Sequence, residues 1–385
     1  MSKIRLGSPV RIDDGLAFLD EEDRYKSIYC IGSTGSGKTN FFKFLAEHSL
    51  DSANIILDPH GGLANQIASI SPPDRLVYVD YNHPLVINPL KKNIPKSQRV
   101  NEFIQVLNAV ISASYSNVEA TTRMANILRN IIRVIPDKNL EIDYIYRFLL
   151  SDKEREKYRH DAFWFAYDDS DGRFLKKRAA ELNTTGGNIA DRLSIFQDDH
   201  LSQFVKGDNQ FNVDEIVRDK KIVVFDLRGF DEEVMRWVGL MVTHAVKTYV
   251  SNQAQEDGDP LFFYIDQFQD FITTFGFDRL LVDCRKFKVC IAFSHHSHSQ
   301  IDKKILDIAM QSHTKVVLTC DYNSADRMAK EMHVKTDDLV KLDKYEAYVS
   351  IGKNVHKVSL FKADETRPYV RNAVPNFLRA GWFPA

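Results

Sequence analysis

Apolar residues along the chain keep two alternating rhythms. Short, nearly unbroken apolar runs stop at glycine or aspartate: "KSIYCIG", "ANIILDPHGG", "DRLVYVDY", "KKIVVFDLRG", "PLFFYIDQF", "KVCIAFSHHS" and "TKVVLTCD". Such runs predict buried strands. Between them, apolar positions recur every three or four residues. "TNFFKFLAEHSL" does so through Phe41, Phe42, Leu45 and Leu50, and "EEVMRWVGLMVTHAVKTYV", "FDRLLVDCRKF", "KKILDIAMQS" and "NSADRMAKEMH" follow the same period. Strand alternating with helix predicts an α/β fold, a mostly parallel central sheet covered by helices. "LVINPL" reads as a short extended piece, and "KYEAYVSIGKNVHKVSLFKA" as a terminal hairpin.

The rhythm changes from about Ser97 to Gln203, where β-rich runs almost vanish. "VNEFIQVLNAVISASY", "EATTRMANILRNIIRVI", "YIYRFLLS" and "NIADRLSIF" all carry the helical period. The expected organisation is a sheet-based α/β domain over 1–95 and 204–385, with an all-α inserted domain over 96–203. An insertion of this length is an ordinary domain size. No internal repeat or low-complexity linker interrupts the pattern.

Composition adds bounds rather than identity. The 385 residues are 44% hydrophobic and 27% charged, enough for a sizeable core. The 51 basic and 53 acidic residues nearly cancel, so charge alone does not advertise a nucleic-acid partner, although a local basic surface can serve one. Cys30, Cys284, Cys290 and Cys320 have no C-x-x-C spacing and point to neither a zinc site nor a disulfide framework. No apolar h-region opens the chain and no run reaches the roughly 20 residues of a membrane span. A cytoplasmic protein, able to dock peripherally on a membrane complex, is the expectation.

"GSTGSGKT" sits between a predicted strand and a predicted helix, the context in which a P-loop has meaning. Gly32, Gly35 and Gly37 allow the backbone to curl, so that N–H groups from Gly32, Ser33, Thr34, Gly35, Ser36, Gly37, Lys38, Thr39 and Asn40 surround phosphate oxygens. The helix adds its positive end. Lys38 is expected on the β- and γ-phosphates and Thr39 on Mg²⁺, with ATP·Mg²⁺ as the ligand. A metal-holding carboxylate must also end a nearby strand. Asp58, Asp226 and Asp266 all do so, and placement alone does not choose between them.

The motif order is what chooses. "GSTGSGKT", "DPHGG", "NPL", the helical stretch, "DQFQDF", "CRKFK" and "SHHSHSQ", with "LDKYEAYVSIG" near the end, resembles the HerA/FtsK superfamily of DNA-translocating ring ATPases, in particular the TraG/TraD-type coupling proteins of conjugation and type IV secretion. The likeness runs from Gly7 to about Thr366 and lacks the N-terminal membrane anchor that many coupling proteins carry. It implies that Asp266 holds the metal and that Gln267 stands where the family has a water-polarising glutamate. It also implies that His296 stands where the family has a glutamine sensing the γ-phosphate. Gly62 replaces a usual acidic residue. Glutamine can orient a water but cannot take its proton as a carboxylate does, and general-base help is worth about 10²–10⁴ in rate. Normal ATP binding with slow turnover follows, whether the glutamine is natural or introduced.

The resemblance further implies a homo-hexameric ring around double-stranded DNA, each site completed by an arginine from the next subunit. Arg285 matches the family position, and Arg228 and Arg192 are weaker candidates. Lys176, Lys177, Arg178, Lys303 and Lys304 are short basic clusters that read equally as DNA contacts or solvated helix faces. His295, His296 and His298 lack a nearby cysteine or carboxylate to complete a metal site. Asp58 and His60 are expected beside the P-loop, touching the metal's water shell or capping the turn. A relaxase or a membrane secretion channel is the partner such a motor would have. A viral packaging or HerA-type DNA-processing ATPase, or a non-hydrolysing ATP-binding scaffold, is the alternative.

Overall fold

The computed structural model describes residues 3–10, 15–92, 94–114, 122–157, 186–253, 258–271 and 277–362. The chain divides into two compact units. Among the described residues, one lies within 1–83, 212–235 and 243–362, and the other within 84–211 and 236–242.

The first unit is built on a ten-stranded sheet. Its strands, with the small ones before it, are β1 (Ile4–Arg5), β2 (Gly7–Pro9), β3 (Phe18–Leu19), β4 (Ile28–Ile31), β5 (Ala53–Asp58), β6 (Leu76–Val79), β7 (Ile222–Asp226), β8 (Leu261–Ile265), β9 (Val289–His295), β10 (Thr314–Val317), β11 (Glu346–Ile351) and β12 (Asn354–Leu360). The spatial order is β2-β12-β11-β10-β4-β9-β8-β5-β7-β6, and β1 pairs separately with β3. Every pairing from β10 through β6 is parallel, whereas β11, β12 and β2 extend the sheet antiparallel. The apolar runs named above are those parallel strands. Every residue of β4, β5, β7, β8 and β9 is buried, as strands covered on both faces must be.

One face of β4 meets the helix Lys38–Glu47, whose Phe41, Phe42, Phe44 and Leu45 enter the core beside Ile28, Cys30, Tyr264 and Ala292. Phe42 lies 6.0 Å from the ring of Tyr264. All four cysteines are buried thiols, free of disulfides.

In the second unit, every described element of the stretch 84–211 is helical, including Lys96–Ser114, Thr122–Val134 and Ile142–Leu150. "LVINPL" forms no strand. Its backbone instead bonds to loop and helix partners, Ile87 N–H to Phe204 O and Gln210 N–H to Val86 O. Asn88 then caps a single 3₁₀ turn, Pro89–Lys91. A run this short takes its shape from the partners it finds rather than from its own apolar content. No described helix is long and apolar enough to cross a membrane.

Candidate nucleotide site

The loop between β4 and the helix Lys38–Glu47 is fixed from both sides. Gly32 N–H donates to His295 O of β9 and Ser33 N–H to Thr319 O beyond β10. The remainder of the loop is therefore free to line a cleft of about 390 Å³ with Thr34, Gly35, Gly37, Lys38, Thr39 and Asn40. Gly37 caps the helix at φ +123°, a conformation that a side chain would strain. The helix has no acidic residue in its first turn, so nothing of its own competes for the positive end.

Strand order explains which side chains meet Lys38. β9 lies between β4 and β8, and its register puts His295 opposite Ile31. The next residue, His296, thereby falls between the loop and the end of β8. Its Nδ1 is 2.7 Å from Lys38 Nζ and its Nε2 is 2.6 Å from the Gln267 amide. Lys38 gives its other two protons to Gly32 O at 2.5 Å and Ser33 O at 3.1 Å. An ammonium only donates, so His296 Nδ1 accepts. The neutral ring then carries its proton on Nε2, and the Gln267 amide must present its oxygen to it. The Gln267 amide is in turn 3.0 Å from that of Gln269. Burial, and then the Lys38 charge, hold His296 below the ordinary histidine pKa, while burial lowers the pKa of Lys38.

Of the three strand-end aspartates, two are occupied locally. Asp58 Oδ1 accepts the His60 N–H at 2.9 Å and Oδ2 accepts the Ala64 N–H at 2.8 Å, capping the turn into the helix Gly62–Ile70. Burial, and then the neighbouring Asp266, raise its pKa. Asp226 accepts from Tyr78 at 2.7 Å and from Arg228 at 2.9 and 2.6 Å. Burial would raise its pKa, but those hydrogen bonds outweigh it and keep the pKa below the usual carboxylate value.

Asp266 remains. Its Oδ1 accepts from the Ser294 hydroxyl and from the Gln267 N–H, and among the described residues no hydrogen bond to its Oδ2 is present. It lines the cleft together with Thr39. A carboxylate and a threonine hydroxyl lining one cleft are a donor set of the kind that Mg²⁺ on a nucleoside triphosphate takes.

The remaining candidates are placed as follows. His60 lines the cleft, and Asn40 does too while its amide donates to Phe361 O at 3.0 Å. His295 and His298 turn away from His296. Both sit on the Tyr29 hydroxyl, His298 at 3.1 Å, and His295 Nδ1 meets Ser297 O at 3.0 Å. Burial pushes their pKa values down to about 3 and about 4. Among the described residues no group of three or more His, Cys, Asp or Glu is arranged to hold a metal.

Arg285 precedes β9, at the end of the sheet opposite the P-loop, where it pairs with Glu22 at 2.9 Å. It is not brought to this chain's own cleft. Arg228 is tied to Asp226, and Arg192 donates to Met124 Sδ. Lys303 and Lys304 are exposed at the start of the helix Lys303–Ala309. Lys176, Lys177 and Arg178 lie outside the described residues. Sequence reasoning missed Ser294, Gln66, Lys344 and Tyr345 in the site. For Ser294 the available signal was β8 lying beside β9, which no local pattern encodes.

A P-loop ending one parallel strand, a carboxylate ending another and a polar residue on the strand between them define a RecA-like P-loop NTPase. The chain belongs to the family described as DUF87, helicase HerA, central domain, whose model matches residues 22–246. It is thus a P-loop ATPase of the HerA/FtsK superfamily. Among solved structures it is similar to VirB4 of Thermoanaerobacter pseudethanolicus at 15% identity and TM-score 0.65, over 94% of this chain and 97% of that one. It is also similar to the bacterial conjugative coupling protein TrwBΔN70, at 14% identity and TM-score 0.69 over 96% and 92%. The plasmid coupling protein TrwB in complex with ADP and Mg²⁺ matches at 13% identity and TM-score 0.67 over 96% and 98%. At these identities the likeness is one of fold. Among curated proteins, none matches the chain.

Proposed function

We propose that the chain is an ATP-dependent DNA-translocating ring motor of the coupling-protein type, moving DNA in conjugative or type IV secretion-like transfer, with hydrolysis slowed by Gln267. One observation carries this reading: Lys38, Thr39, Asp266, Gln267 and His296 all line a single cleft at the ends of adjoining strands. Membership of the HerA family supports it, and so does a fold shared with coupling proteins.

ATP is the substrate. The loop N–H groups and Lys38 bind its phosphates, and Thr39 with Asp266 would hold Mg²⁺, which offsets phosphate charge and orients the terminal phosphoryl group. Lys38 must exchange the carbonyls of Gly32 and Ser33 for phosphate oxygens. That exchange frees His296 Nδ1, so His296 senses the terminal phosphate through the bond it loses. Gln267 orients the attacking water through its amide but leaves the proton without a strong acceptor. Arg285, remote from its own cleft, is suited to serve the site of a neighbouring subunit in a homo-hexamer. An arginine supplied in trans is worth about 10³–10⁵ in rate. Double-stranded DNA would be held by backbone contacts, as sliding requires.

The test is ATP binding and steady-state ATP hydrolysis with and without double-stranded DNA, on this chain, on Lys38→Ala and on Gln267→Glu. DNA-stimulated hydrolysis that Lys38→Ala abolishes supports the motor. Tight ATP binding with no hydrolysis by this chain or by Gln267→Glu, and no response to DNA in either, replaces it with a non-hydrolysing scaffold, the reading Gln267 favours.

A further inference from the structure

The cleft has a second end that the phosphate chemistry does not use. In the sheet order, β9 and β8 lie on one side of β4, and β10 and β11 on the other. Asp266, Gln267 and His296 occupy the first side. Lys344 and Tyr345, immediately before β11, occupy the second, and both line the same cleft as Thr39 and Asn40. A nucleotide whose terminal phosphate points at Asp266 must extend its sugar and base toward Tyr345.

Tyr345 is held there at a backbone cost. Its φ is +71°, the left-handed region in which a bulky residue is an outlier that its surroundings must enforce. The enforcing contacts come from two sides: Leu360 N–H of β12 donates to Tyr345 O at 2.8 Å, and the others belong to the P-loop side of the cleft. Tyr345 N–H donates to Ser36 O at 3.1 Å, and the ring lies so near Gly37 that a Cβ there would come within 2.9 Å of its Cδ1. Two ammonium groups flank the ring, Lys344 Nζ at 5.0 Å and Lys362 Nζ at 5.4 Å from its centre. Asn40 ties the far strand to the same helix through Phe361 O. Glycine would satisfy the backbone at this position without strain, yet the chain keeps an aromatic ring beside the loop.

We propose that Tyr345 is the platform on which the nucleobase stacks, with Lys344 and Lys362 as its cationic flank. A base laid on the ring displaces one ammonium, which then faces the ribose hydroxyls and the phosphate chain. The ligand class is a nucleoside triphosphate recognised by its π-face, with no base-edge readout from this residue. The inference rests on the nucleotide reading above and adds to it the group that separates a nucleotide from a bare polyphosphate.

Calorimetric titration of ATP and of inorganic tripolyphosphate into the chain, Tyr345→Phe and Tyr345→Gly tests it. Glycine relieves the left-handed strain, so this variant keeps or raises the melting temperature while losing the ring. The expected result is ATP binding weakened roughly 5- to 150-fold in Tyr345→Gly, the range for losing one base–aromatic stack. Tripolyphosphate binding stays unchanged, and Tyr345→Phe stays near the parent. Equal weakening of both ligands, or no weakening of either, overturns the stacking role while leaving the phosphate site intact. Binding of neither ligand by the parent chain overturns the nucleotide reading and the stacking role together.

Discussion

Replacing Gln267 by glutamate changes one side-chain atom from nitrogen to oxygen and adds a charge where the structure is most constrained. The new carboxylate would lie 2.6 Å from His296 Nε2 and follow Asp266 directly in sequence. Two effects compete. The carboxylate supplies the proton acceptor that an amide lacks, worth about 10²–10⁴ in rate. It also favours the imidazolium, since an opposite charge at this range raises a histidine pKa by about 1–3 units. A protonated ring can no longer accept from Lys38, so the lysine loses its third acceptor and the introduced carboxylate is tied up in an ion pair.

His296 starts below the ordinary histidine pKa, held there by burial and then by Lys38. The gain is therefore expected to be largest at the alkaline end of the range. Toward the acid end the ion pair forms and the gain shrinks. The assay is steady-state ATP hydrolysis, with and without double-stranded DNA, from pH 6 to 9 at matched oligomeric state. His296→Gln in the Gln267→Glu background removes the imidazolium, so the acidic loss of gain should vanish in the double variant. A Gln267→Glu enzyme that binds ATP normally yet runs less than about tenfold faster at pH 8 would refute the argument that an absent base slows this chain.

Ser294→Ala removes the hydroxyl donor that orients Asp266. It should raise the Mg²⁺ concentration needed for half-maximal nucleotide binding by about tenfold, as loss of outer-sphere partners generally does. Gly61→Ala forces a Cβ to within 1.7 Å of Arg228 Nε at φ +73° and should destabilise by at least about 1–2 kcal/mol in urea titration. In an Arg228→Ala background the clash term disappears, so the two substitutions should be non-additive. His295 is held neutral by burial down to about pH 3, so it contributes fully above the unfolded value near 6.5, and that contribution is lost as pH falls toward 3. About 2 kcal/mol of stability should be gone by pH 5, and a flat denaturation midpoint between pH 7.5 and 5 would contradict it.

What was legible in the sequence is what a local pattern encodes. The P-loop works through backbone N–H groups shaped by Gly35 and Gly37, so its letters state its geometry. The buried strands were legible because two covered faces demand unbroken apolar runs. Selection among Asp58, Asp226 and Asp266 was not legible locally, because it is made by partners: Ala64 and His60 N–H groups, the Arg228 fork and the Ser294 hydroxyl. Ser294, and Tyr78 on Asp226, lie far along the chain from the aspartates they serve. Tyr345 was invisible for a different reason. Positive φ is readable at a glycine and unreadable at a tyrosine, since nothing in the residue type announces a conformation it resists.

Gln267 and His296 look in the sequence like two separate departures from a family pattern, and the geometry makes them one. Lys38 is a pure donor, so the ring that meets it must accept on Nδ1 and donate from Nε2. The group facing Nε2 must then accept without carrying a charge that would protonate the ring. An amide does both, and a carboxylate does only the first. With Lys38 an ammonium and the Gln267 oxygen turned to Nε2, donation runs one way, from Lys38 through His296 to Gln267. On the proposed reading, when Lys38 turns to a phosphate His296 would lose a donor on one side and the amide at the water position would receive the change on the other. A neutral amide in the glutamate position would then keep the link between phosphate binding and the water site, while giving up the proton acceptor that would make the step fast.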